Sequence, residues 1–322
     1  MTVQYGYTLS SEEHGPAALV AHAARAEALG FGFVSLSDHF HPWVRAQGHS
    51  PFAWSVLGAI SEATDTIAVG VGVTCPIMRI HPVVLAQATA TTSLLLDGRF
   101  FWGVGTGEAL NEHVVAQRWP APEVRLEMLE EAIGVVRRLW SGETIDHRGR
   151  YYEVDNARLF DPPATEIPVI VSGFGEQAAA LAGRIGDGYW GNAPDAELLE
   201  TFAASGGDGP RYAQLNVCWA EDAERAKTTV REVWPNAGLS GQLSQDLPTW
   251  THFEQATDPL TVEQVTEQTP CGPDIVEEVV KTVRHYLDAG YDHLYFHNIG
   301  PDQAGFFRFW ESELAAAVAD GG

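Results

Sequence analysis

The chain has 322 residues, enough for one large barrel with insertions, and its 45% hydrophobic content suits a chain that buries a sizeable core. Its 43 acidic residues outnumber 19 basic ones, giving a formal net charge of -24, which excludes partners held by attraction to nucleic-acid phosphates or anionic lipid. No apolar run reaches the ~18 residues a membrane-spanning helix needs.

Residues 1–5 lack a basic region and lead straight into a β-rich run, so no signal peptide is expected. Strands are expected at 5–9, 33–37, 67–73, 100–104, 169–171, 188–190, 213–219 and 293–296. Helices are expected over 16–29, stopped by Gly30, and over 51–63, 82–96, 125–140, 178–184 and 303–318. Alternating strands and helices imply parallel pairing through right-handed crossovers, and eight such units close into a (β/α)8 TIM barrel. An open doubly wound sheet would carry Gly-x-Gly-x-x-Gly after its first strand; Gly6 lies inside the strand and no such turn follows. Residues 1–322 therefore read as a single barrel domain. Two stretches interrupt the alternation. Residues 141–168, with Tyr151-Tyr152-Glu153-Val154, read as an inserted hairpin, and residues 235–268, rich in Gln, Thr, Ser and Pro, as an excursion over the barrel mouth.

The acidic residues are dispersed, and Lys227 and Lys281 are the only lysines. Such a surface points to adaptation to high salt, the alternative being an acidic chain that merely prefers arginine. Cys75, Cys218 and Cys271 are scattered without metal-binding spacing, which fits a reduced, cytoplasmic protein. No His-Glu-x-x-His or Cys-x-x-Cys is present, so no metal site is expected.

Barrel chemistry sits where strands end. The loop after the second strand, Ser37-Asp38-His39-Phe40-His41-Pro42-Trp43, is the richest. His39 can exchange a proton near neutral pH, and Trp43 offers a broad flat ring. On the residues alone, Asp38 as a turn cap and His39 and Trp43 as packing groups fit equally well. The first-strand loop brings Ser10-Ser11-Glu12. The fourth, Gly103-Val104-Gly105-Thr106-Gly107-Glu108, alternates glycines that let backbone N–H groups approach a flat or phosphorylated ligand, with Glu108 a candidate acid or base. Ser172-Gly173-Phe174-Gly175-Glu176-Gln177 opens a helix and suits a phosphate at its N-terminus, while the absence of Gly-Lys-Ser/Thr excludes a triphosphate loop. Without Gly-x-Ser-x-Gly there is no basis for a serine hydrolase.

Together, Ser37-Asp38-His39-Phe40-His41-Pro42-Trp43, Thr74-Cys75-Pro76-Ile77-Met78-Arg79 and the 103–112 glycine loop resemble the F420-dependent branch of the luciferase-like barrel superfamily. Within it they are similar to the group of F420-dependent glucose-6-phosphate dehydrogenase and F420-dependent secondary alcohol dehydrogenase. The resemblance runs over most of the chain, including 82–97, Leu139-Trp140-Ser141-Gly142 and the 182–188 stretch. It implies a hydride-transferring enzyme using the deazaflavin coenzyme F420. His39 would take the substrate hydroxyl proton, Trp43 flank the reacting carbon, and Glu108 supply a proton beside the coenzyme. Glu12 and Trp234 would lie on the substrate side. Coenzyme contacts are implied for Asp38, Gly72, Val73, Thr74, Thr106, Gly107, Glu108, Asn111, Ser172, Gly173, Gly175, Glu176 and Gln177, with a non-proline cis peptide at Gly72-Val73. The resemblance also implies a homodimer acting on a small molecule.

One departure bears on the substrate. The sugar-phosphate member grips its phosphate with lysines and an arginine, yet the matching stretches here, 191–195, 249–255 and 265–268, contain neither and carry Asp195 and Glu267. An uncharged alcohol, sugar or carbonyl compound is therefore expected. The alternatives are a sugar-phosphate dehydrogenase, an FMN-dependent monooxygenase of the same superfamily and a non-catalytic coenzyme-binding barrel. The Asp-His-x-x-Pro-Trp loop speaks against the monooxygenase, and the joint presence of His39, Trp43 and Glu108 against a mere carrier.

Overall fold

A computed structural model describes residues 3–239 and 241–320; Met1 and Thr2 of the N-terminal run and Ser240 of the 235–268 excursion lie outside them. In chain order the strands are β1 (Gln4–Leu9), β2 (Phe33–Leu36), β3 (Ala68–Thr74), β4 (Phe100–Val104), β5 (Ile145–Arg148), β6 (Glu153–Ala157), β7 (Val169–Ser172), β8 (Gly188–Gly191), β9 (Arg211–Val217) and β10 (His293–Asn298). All except β5 and β6 form one closed parallel barrel in the order β1-β10-β9-β8-β7-β4-β3-β2, the architecture expected from the sequence. The helices are α1 (Pro16–Ala28), α2 (Ala53–Ala63), α3 (Pro82–Leu95), α4 (Ala109–Glu112), α5 (Pro122–Trp140), α6 (Glu176–Ile185) and α7 (Ala196–Ala204). They continue with α8 (Ala223–Val233), α9 (Leu243–Asp246), α10 (Trp250–Thr257), α11 (Val262–Thr266), α12 (Val276–Ala289), α13 (Gln303–Phe309) and α14 (Ala315–Asp320).

Helices α4 and α7 to α12 lie outside the expected set. Helix α8 buries only Ala226, Thr229 and Val230, so its apolar stripe is narrow and its charged face dominates the sequence. The helix expected over 303–318 is two helices joined by a π-turn at Trp310–Leu314. Among the described residues no helix is long and apolar enough to cross a membrane.

An aromatic plug fills the barrel: Phe33, Phe101, Ile170, Trp190, Tyr212 and Tyr295 are all buried, with Val73 packed against them. Each such side chain contributes about 1.5–3 kcal/mol on burial. The Trp190 indole donates to the Tyr295 hydroxyl at 2.8 Å, so the plug's polar edge is satisfied. Glycine makes room for it: a Cβ at Gly70 would lie 2.1 Å from the Phe101 ring. At the top of β3 the Gly72-Val73 peptide is cis, and the ladder to β4 shifts register between Val71 and Thr74.

Residues 145–157 form an antiparallel hairpin, β5 against β6. Glu131 of α5 anchors it by accepting from the backbone N–H groups of Arg150, Tyr151 and Tyr152, the last at 2.9 Å. The 235–268 stretch folds into short helices whose fully buried Phe253 packs with Val44 and Leu110 from the first half of the barrel. Arg45 adds a two-pronged bond to Glu254 at 3.1 and 3.0 Å, and Arg125 donates to Gln245 at 2.9 Å. Arg231 donates to the carbonyls of Thr257, Asp258 and Leu260.

Candidate active site

Three strand-end loops converge at the mouth. Glu12 follows β1, His39 follows β2, and Glu108 follows β4. His39 Nε2 lies 3.3 Å from Glu12 Oε1 and 4.0 Å from Glu108 Oε2. Glu12 is buried, and its other oxygen accepts from Ser37 Oγ at 2.6 Å and Ser10 Oγ at 3.2 Å. Burial alone would raise this carboxyl, but the neighbouring His39 charge and the Ser37 bond outweigh it and hold Glu12 below its ordinary range. An ionised carboxylate thus faces the imidazole. The Trp43 ring is 5.1 Å from the His39 ring and 5.0 Å from Phe253, so it stands between the site and the excursion.

Asn111, the third residue of α4, ties these loops together. Its Oδ1 accepts from the backbone N–H groups of Phe40 at 2.8 Å and His41 at 3.2 Å. Its Nδ2 lies 3.2 Å from Glu108 Oε2 and 3.1 Å from His39 Nδ1. Both ends of this amide are thus engaged by the loops it joins. The turn before it needs glycine, because Gly107 has φ +71° and a Cβ there would sit 2.4 Å from Cys75 Sγ.

Asp38 is buried and ion-paired, its Oδ1 accepting from Arg79 Nη2 at 2.8 Å. Arg79 also faces Glu112, whose Oε2 accepts the Arg79 backbone N–H at 2.7 Å. Burial dominates at Glu112 and pushes its carboxyl up to about 7 despite this neighbour. Neither Arg79 nor Glu112 was among the candidate residues. They are identifiable only once the loops are brought together.

The remaining candidates line a second arc. Asp38 Oδ2 and Thr74 Oγ1, at the ends of adjacent strands, are buried and have no hydrogen-bond partner among the described residues. Val73 and Thr106 are half-buried at the same end. Ser172 ends β7, Gly173 is buried, and Gly175, Glu176 and Gln177 are exposed at the start of α6. Among the described residues no side chain caps α6, and the space around a Cβ at Gly175 is open. Free N–H groups at a helix start and two orphaned acceptors or donors fit a ligand that carries both a phosphate and a polar ring.

Trp234 lies on the opposite side, its ring edge-on to His297 at 4.4 Å. His297 Nε2 lies 2.6 Å from Glu13 Oε2, and both side chains are buried. Glu13 Oε1 accepts the Gly300 N–H at 2.7 Å. Consecutive glutamates of one loop therefore serve two imidazoles, Glu12 for His39 and Glu13 for His297. No local pattern marks the second pair, since its members are 284 positions apart. No group of three or more histidine, cysteine, aspartate or glutamate side chains is placed to hold a metal among the described residues.

A parallel barrel with its polar residues gathered at the strand ends defines an α/β-barrel of the enzyme type. The luciferase-like monooxygenase family model matches residues 2–293, and the chain belongs to that family. The F420-dependent glucose-6-phosphate dehydrogenase of Segniliparus rotundus is 36% identical over 329 residues, covering 98% of each chain. That of Kribbella flavida is 37% identical over 328 residues, again covering 98% of each. Among solved structures, an F420-dependent secondary alcohol dehydrogenase in complex with an F420-acetone adduct superposes with a TM-score of 0.90 at 30% identity, covering 99% of each chain. An F420-dependent tetrahydromethanopterin reductase from Methanopyrus kandleri shares the fold, with a TM-score of 0.79 at 18% identity over 98% of this chain and 99% of that one.

Proposed function

We propose that the chain transfers a hydride between coenzyme F420 and an uncharged substrate: an alcohol, an unphosphorylated sugar or the matching carbonyl compound. The observation that carries this reading is His39 Nε2 set between two carboxylates and beside Trp43, in a chain whose relatives are F420-dependent dehydrogenases. Asp38 Oδ2, Thr74 Oγ1, the 105–107 turn and the start of α6 would hold the coenzyme. When bound, F420 supplies a hydride acceptor or donor. The chain's own residues then align the substrate and manage protons. His39 holds the substrate hydroxyl proton, and the ionised Glu12 steadies the charged ring. Glu108 serves the proton on the coenzyme side. Trp43, packed on Phe253, covers the site and excludes water.

The preference for an uncharged substrate rests on the missing cations. Asp195 is spent capping α7, accepting from the N–H groups of Glu197 and Leu198. Arg231, on the neighbouring α8, is spent on excursion carbonyls. A dianionic phosphate would find no lysine or arginine in the 191–195, 249–255 and 265–268 stretches. Bleaching of F420 absorbance by secondary alcohols, glucose and glucose 6-phosphate, run in parallel, tests this: turnover is expected with an uncharged compound, and preference for the phosphate overturns it.

Assembly, setting and salt response belong to the same reading. Helix α3 carries no charged residue, yet exposes Val84, Leu94 and Leu95 in a chain of net charge -24. Such a face suits a second copy of the chain, giving a homodimer. The three free thiols suit the cytoplasm. The dispersed acidic surface suits high salt.

A further inference from the structure

We infer that Asn111 is a positioning residue that sets which nitrogen of His39 carries the proton, and so whether Nε2 offers the substrate a donor or a lone pair. The inference deepens the reading of His39 as the proton carrier and rests on it.

The orientation of the Asn111 amide is fixed by its surroundings. Two backbone N–H groups, those of Phe40 and His41, point at Oδ1, so the atom turned toward His39 and Glu108 is Nδ2. That nitrogen can only donate, and its two hydrogens have two partners, Glu108 Oε2 at 3.2 Å and His39 Nδ1 at 3.1 Å. His39 Nδ1 also lies 3.2 Å from the His41 carbonyl oxygen, which can only accept. A bare Nδ1 therefore bonds Asn111, and a protonated Nδ1 bonds His41. The two partners are mutually exclusive.

The other ring nitrogen decides between them. Nε2 faces Glu12 Oε1 at 3.3 Å and Glu108 Oε2 at 4.0 Å, both of which favour a proton there. Ser37 and Ser10 hold Glu12 so that it cannot turn away. The other charged groups nearby are Asp38 and Arg79, which form an ion pair, and Glu112, which faces Arg79. The neutral ring thus carries its proton on Nε2 and leaves Nδ1 to Asn111. A second proton must land on Nδ1, where it displaces the amide bond and turns to His41. With a proton on Nε2 the ring can only donate to a substrate oxygen. It can accept a hydroxyl proton at Nε2 only in the form whose Nδ1–H points to His41. Asn111 and the His41 carbonyl are the two stops of one proton switch.

Nitrogen-15 NMR of the coenzyme-free protein reads the tautomer directly, with His39→Gln used to assign the signals. In its neutral form the wild-type His39 ring is expected to show Nδ1 bare and Nε2 protonated. Asn111→Asp keeps an acceptor for Phe40 and His41 but replaces the donor with a second acceptor. It should protonate Nδ1 and raise the pH midpoint of the ring by about one unit or more, with the rising limb of the pH–rate profile moving the same way. A neutral wild-type ring protonated on Nδ1, or an unmoved midpoint in folded Asn111→Asp, overturns the inference. A merely structural role would lower activity without fixing the neutral wild-type ring in its Nε2–H form. Should Asn111→Asp not fold, the wild-type tautomer decides alone. Because the spectrum needs no turnover, a wrong assignment of the substrate or of His39 leaves this result intact and is distinguished from it.

Discussion

Trp43 and Phe253 meet nearly edge to face, with ring centroids 5.0 Å apart and planes 76° apart, joining the His39 loop to the excursion from the second half of the barrel. The Arg45–Glu254 bonds lie beside this contact, so the cover of the site is packed and tethered rather than loosely draped.

Phe253 is fully buried in that joint. Phe253→Ala should cost about 3–5 kcal/mol through the cavity it leaves. The excursion should become sensitive to proteolysis within 235–268, with KM rising more than coenzyme affinity falls. Denaturant unfolding, limited proteolysis and steady-state kinetics check the three effects.

Arg79 pairs with buried Asp38 after β2 and faces buried Glu112 at the end of α4. Its removal leaves Asp38 charged and unpaired in a dry place. Arg79→Ala is expected to destabilise by about 3–5 kcal/mol, read from the denaturant midpoint, and to weaken coenzyme binding as the β2 end loosens.

Glu112 gives the protein a pH dependence of known sign. Its carboxyl is raised from an ordinary 4.5 to about 7, chiefly by burial, so the folded state holds its proton more tightly than the unfolded one. The stability from that proton is fully present below pH 4.5 and is lost as pH rises through about 7. The loss is on the order of 3 kcal/mol. Glu112→Gln should flatten this slope, seen as melting temperatures at pH 5 and pH 8 that differ less than in the wild type.

The uncharged face of α3 sets the expectation for assembly. Leu95→Glu, on its exposed side, should convert a dimer to a monomer in light scattering without changing the circular dichroism. Melting temperature should rise with potassium chloride through the molar range, as screening relieves repulsion among the 43 acidic residues.

Much of the fold was legible because each barrel strand is a short β-branched or aromatic run with glycine or proline nearby, and its helix often starts with proline, as at Pro16, Pro82 and Pro122. Helix α8 was not, since only three of its residues are buried. The site divided in the same way. His39, Trp43 and Glu108 stand after strands, where a barrel site is sought, but type and place alone fit packing equally well, and the resemblance is what singles them out. The tie made by Asn111, the pairing of Arg79 with Asp38, and the Glu13–His297 pair depend on side-chain directions across different loops, which no local pattern encodes.

The central claim is tested most directly by titrating the purified protein, in high salt, with oxidised F420 and separately with FMN. Saturable binding of F420, with FMN binding far more weakly or not at all, is the predicted result. Preference for FMN, or binding of neither, would contradict the account.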